Sequence, residues 1–274
     1  MPSKRDAPDP TASAAELVSW FQQHGRDYPW RRTQDAYAIL VSEIMLQQTQ
    51  IATVLERGFY SRWMQRFPDW QMLAEADESQ VLMTWEGLGY YRRARNLQRL
   101  AQVVMTQHDG VFPSDHAVML KLPGIGPYTA GAVASFAFGQ AQPIVDGNIA
   151  RVLARMHNDA TPIDSTEGKK RLWERAAAMV QATDDPRSLN SALMELGQTY
   201  CRPTKPACEL CPVSTQCRAT DPDSLPVKSP RAAMTRVTEH VFFLRNDEGV
   251  LLECETGSRR TGLWKLPSMP EALK

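Results

Sequence analysis

Leu122-Pro123-Gly124-Ile125-Gly126-Pro127-Tyr128-Thr129-Ala130-Gly131-Ala132 is the stretch whose reading decides the fold. Before it, Ser114 to Lys121 reads as a short helix that Ser114 or Asp115 caps. After it, Tyr128 to Phe138 reads as a second helix rich in small residues. Gly124 and Gly126 each stand beside a proline. Glycine reaches positive φ without steric cost, and proline presets its own φ. The expected product is a tight hairpin between two helices, with backbone N–H groups left open at the start of the second. Open amides backed by a helix dipole form an anion site. An ordinary helix–loop–helix corner is the bland alternative. Ala130, Gly131, Ala132 and Ala134 allow close packing of the helix they stand on.

Helical signals dominate outward from this hairpin, from Ala12 to about Arg218. Ala14 to His24 is a first helix, and the loop Gly25 to Thr33 carries Tyr28-Pro29-Trp30-Arg31. One long helix is expected from about Ala36 to Gly58. Its apolar positions Tyr37, Leu40, Val41, Ile44, Ile51 and Leu55 recur at intervals of three and four. Further helices are expected at 60–67, 72–76, 78–85, 92–108, 149–156, 168–180 and 186–199. The expected fold class is therefore mainly α. Residues 1–13 read as a disordered tail. Residues 219–235, with Pro222, Pro226 and Pro230 and no apolar stripe, read as a linker. Beyond it, Val237 to Leu244 and Val250 to Glu255 look like strands, with Asn246-Asp247-Glu248-Gly249 as the hairpin turn. Two strands and a tail bury no core of their own, so the domain at 236–274 is expected to be cut short.

Among the 274 residues, 43% are hydrophobic and 23% charged, which suits a soluble globular protein of one or two domains. No apolar run is long enough to span a bilayer, and the polar N-terminus lacks the apolar stretch of a secretory signal. A cytoplasmic monomer without membrane attachment is expected. The 31 basic and 31 acidic residues balance to zero. Any contact with nucleic acid must therefore come from local placement of charge.

Four of the five cysteines fall in the spacing Cys201-x6-Cys208-x2-Cys211-x5-Cys217. Clustered cysteines in an intracellular chain point to metal rather than disulfides. Four thiolates suit a zinc ion or a [4Fe–4S] cluster, and spacing leaves both open. Arg202, Lys205 and Arg218 stand in or beside this loop, where they could meet phosphates.

Two carboxylates have distinctive settings. Asp146, in Val145-Asp146-Gly147-Asn148, directly precedes a helix. A carboxylate there accepts backbone N–H bonds and faces the positive end of the dipole, which favours its charged form. Glu43 lies mid-helix among Ile39, Leu40, Val41, Ile44 and Met45, where partial burial raises its pKa. The bland readings are a helix cap and an exposed glutamate. Together they divide the roles that cleavage of an N-glycosidic bond requires, an acid for the leaving base and an anion for the sugar cation.

Three runs bring a resemblance into focus: Val41-Ser42-Glu43-Ile44-Met45-Leu46-Gln47-Gln48-Thr49-Gln50, Trp85-Glu86-Gly87-Leu88-Gly89-Tyr90-Tyr91-Arg92-Arg93-Ala94-Arg95-Asn96-Leu97 and Val145-Asp146-Gly147-Asn148-Ile149-Ala150-Arg151-Val152. With the hairpin and the cysteine spacing, they resemble the adenine DNA glycosylase (MutY) family of the endonuclease III, helix-hairpin-helix superfamily. The resemblance covers about residues 14–218, and the final segment resembles the start of that family's Nudix-like domain. It implies a two-lobed helical glycosylase fold whose hairpin, through Gly124 and Gly126, grips a DNA phosphate. It implies a [4Fe–4S] cluster on Cys201, Cys208, Cys211 and Cys217. It also implies removal of adenine mispaired with 8-oxoguanine or guanine in double-stranded DNA.

By the same resemblance, Glu43 protonates adenine and helps position water, and Asp146 stabilises the sugar cation. Tyr128 and Asn148 support the site, and Trp30, Arg31 and Leu46 line the base pocket. Gln48 and Tyr90 wedge into the duplex, filling the gap a flipped base leaves. Ser191 stands where the family often has Glu or Gln against the adenine, so base selectivity is expected to loosen. Discrimination between 8-oxoguanine and guanine partners is expected to weaken with the shortened C-terminal segment. Two other readings remain. An endonuclease III-like glycosylase and lyase for damaged pyrimidines would need a lysine where this chain has Tyr128. A non-enzymatic iron–sulfur DNA-binding protein would keep the scaffold alone.

Overall fold

The computed structural model describes residues 7–230, 234, 238–256 and 263–268, and divides the chain into two units, 1–229 and 230–274. The first unit is helical: α1 (Pro10–His24), α2 (Ala36–Leu46), α3 (Ile51–Glu56), α4 (Phe59–Arg66), α5 (Trp70–Glu75), α6 (Glu78–Trp85), α7 (Arg92–Gln107), α8 (His116–Met119), α9 (Pro127–Phe138), α10 (Gly147–Met156), α11 (Thr166–Gln181) and α12 (Pro186–Thr199). Most starts are written locally. Asp9, Asp35, Asp69, Asp115, Asp146, Ser165 and Asp185 each accept a first-turn amide of the helix that follows. Pro10, Pro127 and Pro186 occupy the first helical turn, where a missing N–H costs nothing.

Two hydrophobic cores form within this unit. One is built on α2 through α8 around Trp63, Trp85, Phe67, Leu73 and Leu97. The other is built on α1, α10, α11 and α12 around Leu17, Leu153, Leu172, Leu189 and Leu193. Helix α9 belongs to both, giving Ala130, Val133 and Ala134 to the first and Ala132 to the second. Its small residues permit this. A Cβ on Gly131 would stand 2.4 Å from the Pro143 carbonyl oxygen, so the extended segment leading to Asp146 lies directly on the α9 backbone.

Several expectations need correction. The long helix at 36–58 is two helices, because α2 ends at Leu46 and Gln48 adopts a left-handed φ of 58°. Helix α1 begins at Pro10, within the expected tail, and Ser13 and Ala14 are buried. The expected tail's first six residues lie outside the described ones. The first hairpin helix shrinks to α8, capped by Asp115 rather than Ser114. Gly124 takes a positive φ of 78°, but Gly126 is extended and serves as the N-cap of α9. The expected linker packs on the helical unit as far as Ser229. Leu225 is buried, Ile163 donates its amide to the Val227 oxygen, and Ser229 donates to Asp164.

In the second unit, β1 (Arg245–Asn246) pairs antiparallel with β2 (Gly249–Val250), and β3 (Glu253–Cys254) with β4 (Trp264–Lys265). The pairing Asn246↔Gly249 closes the expected hairpin turn. The strands are shorter than the alternation implied, and none of this unit's described residues is buried. Val237, at the start of the first expected strand, lies outside the described residues.

Candidate active site

A cleft of about 1110 Å³ opens between the two cores of the helical unit. Its lining combines Glu43 and Leu46 of α2, the segment 47–50, Tyr128 of α9, Asp146 and Asn148 at the head of α10, and Met194 and Gly197 of α12. Residues more than 100 positions apart in the chain thus face one space. A smaller recess of about 40 Å³ lies beside it, lined by Trp30, Arg31, Glu43, Leu46, Ser191 and Gln198 among others. That volume holds about one water, since a water in the liquid takes about 30 Å³.

Glu43 is only 5% exposed on a helix whose middle is buried on every side. Tyr128 Oη donates a hydrogen bond of 2.9 Å to its Oε2. The Glu43 pKa is raised to about 7: burial raises it most, the Tyr128 bond pulls it down, the nearby Asp146 carboxylate raises it and the Arg31 cation lowers it. The Tyr128 phenol is itself held well above its ordinary range, first by burial and then by the Glu43 and Asp146 charges. It therefore stays a donor.

Asp146 is locked by the cap the sequence foretells. Its Oδ1 accepts from the Ile149 amide at 2.7 Å, and its Oδ2 accepts from Asn148 Nδ2 at 3.0 Å. Asn148 Oδ1 in turn accepts from Arg151 Nη2 at 3.0 Å, and Arg151 also donates to the Gly197 and Cys201 carbonyls. The asparagine, the helix cap and the first cysteine are thereby tied into one hydrogen-bonded chain.

Arg31 is seated by Glu195, which the sequence reading missed. Arg31 Nη1 lies 2.6 Å from Glu195 Oε2 and 2.7 Å from the Arg26 carbonyl, and the guanidinium packs between the rings of Phe21 and Tyr28. The signal for Glu195 was present. It stands four residues after Ser191 on α12, a glutamate on the apolar face of a helix. Trp30 is buried against Tyr28 and Tyr60. Arg187, also unforeseen, lines the recess and donates to the Arg31 and Thr33 carbonyls. Leu46 lines both cavities, and the Ser191 side chain faces the recess.

Gln48 and Tyr90 lie outside the recess. Gln48 lines the cleft, while Tyr90 is 63% exposed with a left-handed φ of 49°. No side chain caps α9, so the amides at its first turn stay open next to Gly124 and Gly126. A Cβ at Gly126 would meet nothing within 4 Å, whereas one at Gly124 would meet Asn96 at 3.1 Å.

The four clustered cysteines follow α12 in one loop. Arg155, 1% exposed, sends Nη1 to the Arg202 carbonyl at 2.6 Å and lies 3.5 Å from Cys201 Sγ, while its Nη2 reaches the Pro203 carbonyl. Burial pushes the Cys211 thiol up to about 11 and raises that of Cys217 as well. Among the described residues, no three His, Cys, Asp or Glu side chains stand in an arrangement that holds a single metal ion.

Residues 41–178 match the family model for HhH-GPD superfamily base excision DNA repair proteins. An adenine DNA glycosylase of Homo sapiens is 46% identical over 224 residues, 78% of this chain and 40% of the human protein. One from Mycolicibacterium smegmatis is 42% identical over 208 residues, 75% of this chain and 69% of that protein. The chain thus spans less than half the length of the human relative. A thermostable thymine-DNA glycosylase superposes with a TM-score of 0.67 at 30% identity, covering 76% of this chain and 94% of that one. A non-covalent endonuclease III–DNA complex shares the fold, with a TM-score of 0.61 at 20% identity, covering 77% of this chain and 95% of that one.

Proposed function

The chain belongs to the HhH-GPD superfamily of base excision DNA repair proteins, and within it to the adenine DNA glycosylases; on that premise we propose that it hydrolyses the N-glycosidic bond of adenine mispaired with 8-oxoguanine or guanine in duplex DNA. The observation that carries this reading is the pairing, in one cleft, of a buried carboxyl with a raised pKa and a second carboxyl held by hydrogen bonds at a helix N-terminus. Glu43 is buried, raised to about 7 and held by Tyr128, while Asp146 is fixed at a helix N-terminus by Ile149 and Asn148.

The chemistry follows from those positions. A flipped adenine enters from the cleft and opens the recess lined by Trp30, Arg31, Leu46 and Ser191. Protonated Glu43 donates to the departing base, and charged Asp146 faces the positive charge that grows on the sugar. Tyr128 keeps the Glu43 carboxyl oriented, and Asn148 keeps Asp146 oriented. Water then completes hydrolysis. The open amides of α9 beside Gly124 and Gly126 suit a backbone phosphate. No lysine lines the cleft among the described residues, which favours a hydrolase over a Schiff-base lyase.

Cys201, Cys208, Cys211 and Cys217 supply the four thiolates that a [4Fe–4S] cluster accepts. The fit is supported by Arg155, a buried cation against Cys201 that offsets the charge of such a thiolate set. When bound, the cluster would cross-link the loop that receives Arg151 and Arg155.

The test is single-turnover cleavage of a duplex carrying adenine opposite 8-oxoguanine, with and without hot alkali, beside Glu43→Gln. Strand breaks only after alkali, lost in Glu43→Gln, are expected. Breaks without alkali, with a borohydride-trapped adduct, would establish the lyase instead.

A further inference from the structure

We propose that Arg93 is the positioning residue that sets Gln48 and Tyr90 as a matched pair of wedges, so that the duplex is opened by one device rather than two. The inference rests on the glycosylase reading above. It begins from a shared backbone anomaly. Gln48 and Tyr90 are both exposed, and both take a left-handed φ, 58° and 49°, a conformation non-glycine residues adopt only when their surroundings impose it. They stand in separate loops, one between α2 and α3 and one before α7.

One guanidinium holds both loops. Arg93 Nη1 donates to the carbonyls of Ile44, Met45 and Gln47 at 2.9, 3.0 and 2.5 Å. Its Nη2 donates to the carbonyls of Leu88 and Gly89 at 3.1 and 3.3 Å and to Thr49 Oγ1 at 3.3 Å. The Gln47 and Gly89 carbonyls belong to the peptide groups immediately before Gln48 and Tyr90. The forked cation therefore fixes the entry to each left-handed residue. It also collects the terminal carbonyls of α2, whose negative end a cation stabilises. Its Cζ lies 5.4 Å from the Tyr90 ring centroid and 5.3 Å from that of Trp85, so the exposed Tyr90 side chain rests on the same group.

No other side chain type does this work. A lysine keeps the charge but lacks the planar fork that spans six acceptors at the end of α2 and in the two loops. Arg93 touches neither Glu43 nor Asp146 in any hydrogen bond of the described residues, so its effect on catalysis passes through Gln48 and Tyr90.

The experiment uses the full chain and Arg93→Lys, with Gln48→Ala and Tyr90→Ala singly and combined with it. Base extrusion is read from the fluorescence of 2-aminopurine placed next to the adenine, in a Glu43→Gln background that prevents base release. Release itself is read in the chain carrying Glu43. Arg93→Lys is expected to keep its melting temperature within a few degrees and to lose most of the fluorescence rise. Its single-turnover rate should fall by about 10- to 100-fold, the loss expected when catalytic geometry slips by an ångström. In the Arg93→Lys background, Gln48→Ala and Tyr90→Ala should each cost less than alone. An undiminished fluorescence rise, or losses that simply multiply, would overturn the proposal. If Arg93→Lys does not fold, Arg93→Gln is measured by the same cycle. If the chain with Arg93 intact extrudes 2-aminopurine but releases no adenine, the glycosylase reading fails and this inference stands.

Discussion

Tyr128 Oη donates to Glu43 Oε2 across 2.9 Å, joining two residues 85 positions apart in the chain. Burial raises the Glu43 pKa and the bond opposes it, and the balance stands at about 7. An acid balanced in this way is half protonated near neutrality.

That balance sets the pH profile. Only protonated Glu43 can donate to the leaving base. Adenine release in a single turnover should therefore be level below the Glu43 pKa and fall as pH rises through about 7. The decline should approach about tenfold per pH unit for a single essential acid. Glu43→Gln should lower the rate by about 10²- to 10⁴-fold and abolish this dependence. A variant that keeps the same descending limb would assign the acid elsewhere.

The same shift makes a stability prediction of opposite benefit. The folded pKa of Glu43 lies above its unfolded value, so folding carries no penalty below about 4.5 and the full penalty above about 7. The native state loses this contribution as pH rises through that window. Glu43→Gln should match the unsubstituted chain at pH 4 and exceed it at pH 8 by about 3 kcal/mol, at roughly 1.36 kcal/mol per pKa unit. Urea unfolding at both pH values measures it. Equal stabilities at pH 8 would mean that the folded state does not hold a buried carboxylate.

Asp146 combines a structural and a chemical task that substitution can separate. Asn caps a helix about as well as Asp, so Asp146→Asn should change stability by less than about 0.5 kcal/mol, whereas Asp146→Ala should cost about 1 kcal/mol. Both should lower adenine release by about 10²- to 10³-fold, because both remove the charge facing the sugar. Substantial activity in Asp146→Asn would show that the cap alone matters.

Gly131 is required for a close approach rather than for a turn. Gly131→Ala places a methyl group 2.4 Å from the Pro143 oxygen. The segment carrying Asp146 must then move off α9, at a cost of about 1–3 kcal/mol for overpacking. A lowered melting temperature together with slower release is expected. An unchanged chain would mean that the segment yields freely.

The cysteine loop makes a compositional prediction. Anaerobically purified chain should carry about four iron and four sulfide per molecule, and Cys211→Ser should lose most of both. One zinc per chain without sulfide would instead fit the other ion that four thiolates accept.

Much of the site was legible because its parts are local. The Asp146 cap follows from a carboxylate placed just before a helix, and Gly124 follows from the need for a positive φ in a tight turn. The buried setting of Glu43 follows from the apolar residues on either side of it. Cap, turn and stripe depend on residues within a few positions of one another, so the chain alone determines them.

Other features are decided only when distant segments meet. Nothing in Gln47-Gln48-Thr49-Gln50 contains the glycine or proline that would end a helix. The helix ends there as Arg93, 46 residues after Gln47, takes the last carbonyls of α2. Glu195 stands on the apolar face of α12, but its partner is fixed only when Arg31, 164 residues earlier, is laid against it. The sequence by itself determined the hairpin, the caps and the types of group available for chemistry. The tertiary structure decided which of them share a cleft, how far Glu43 is desolvated and where α2 stops. Those depend on burial and on hydrogen bonds between remote segments, and no local pattern records either.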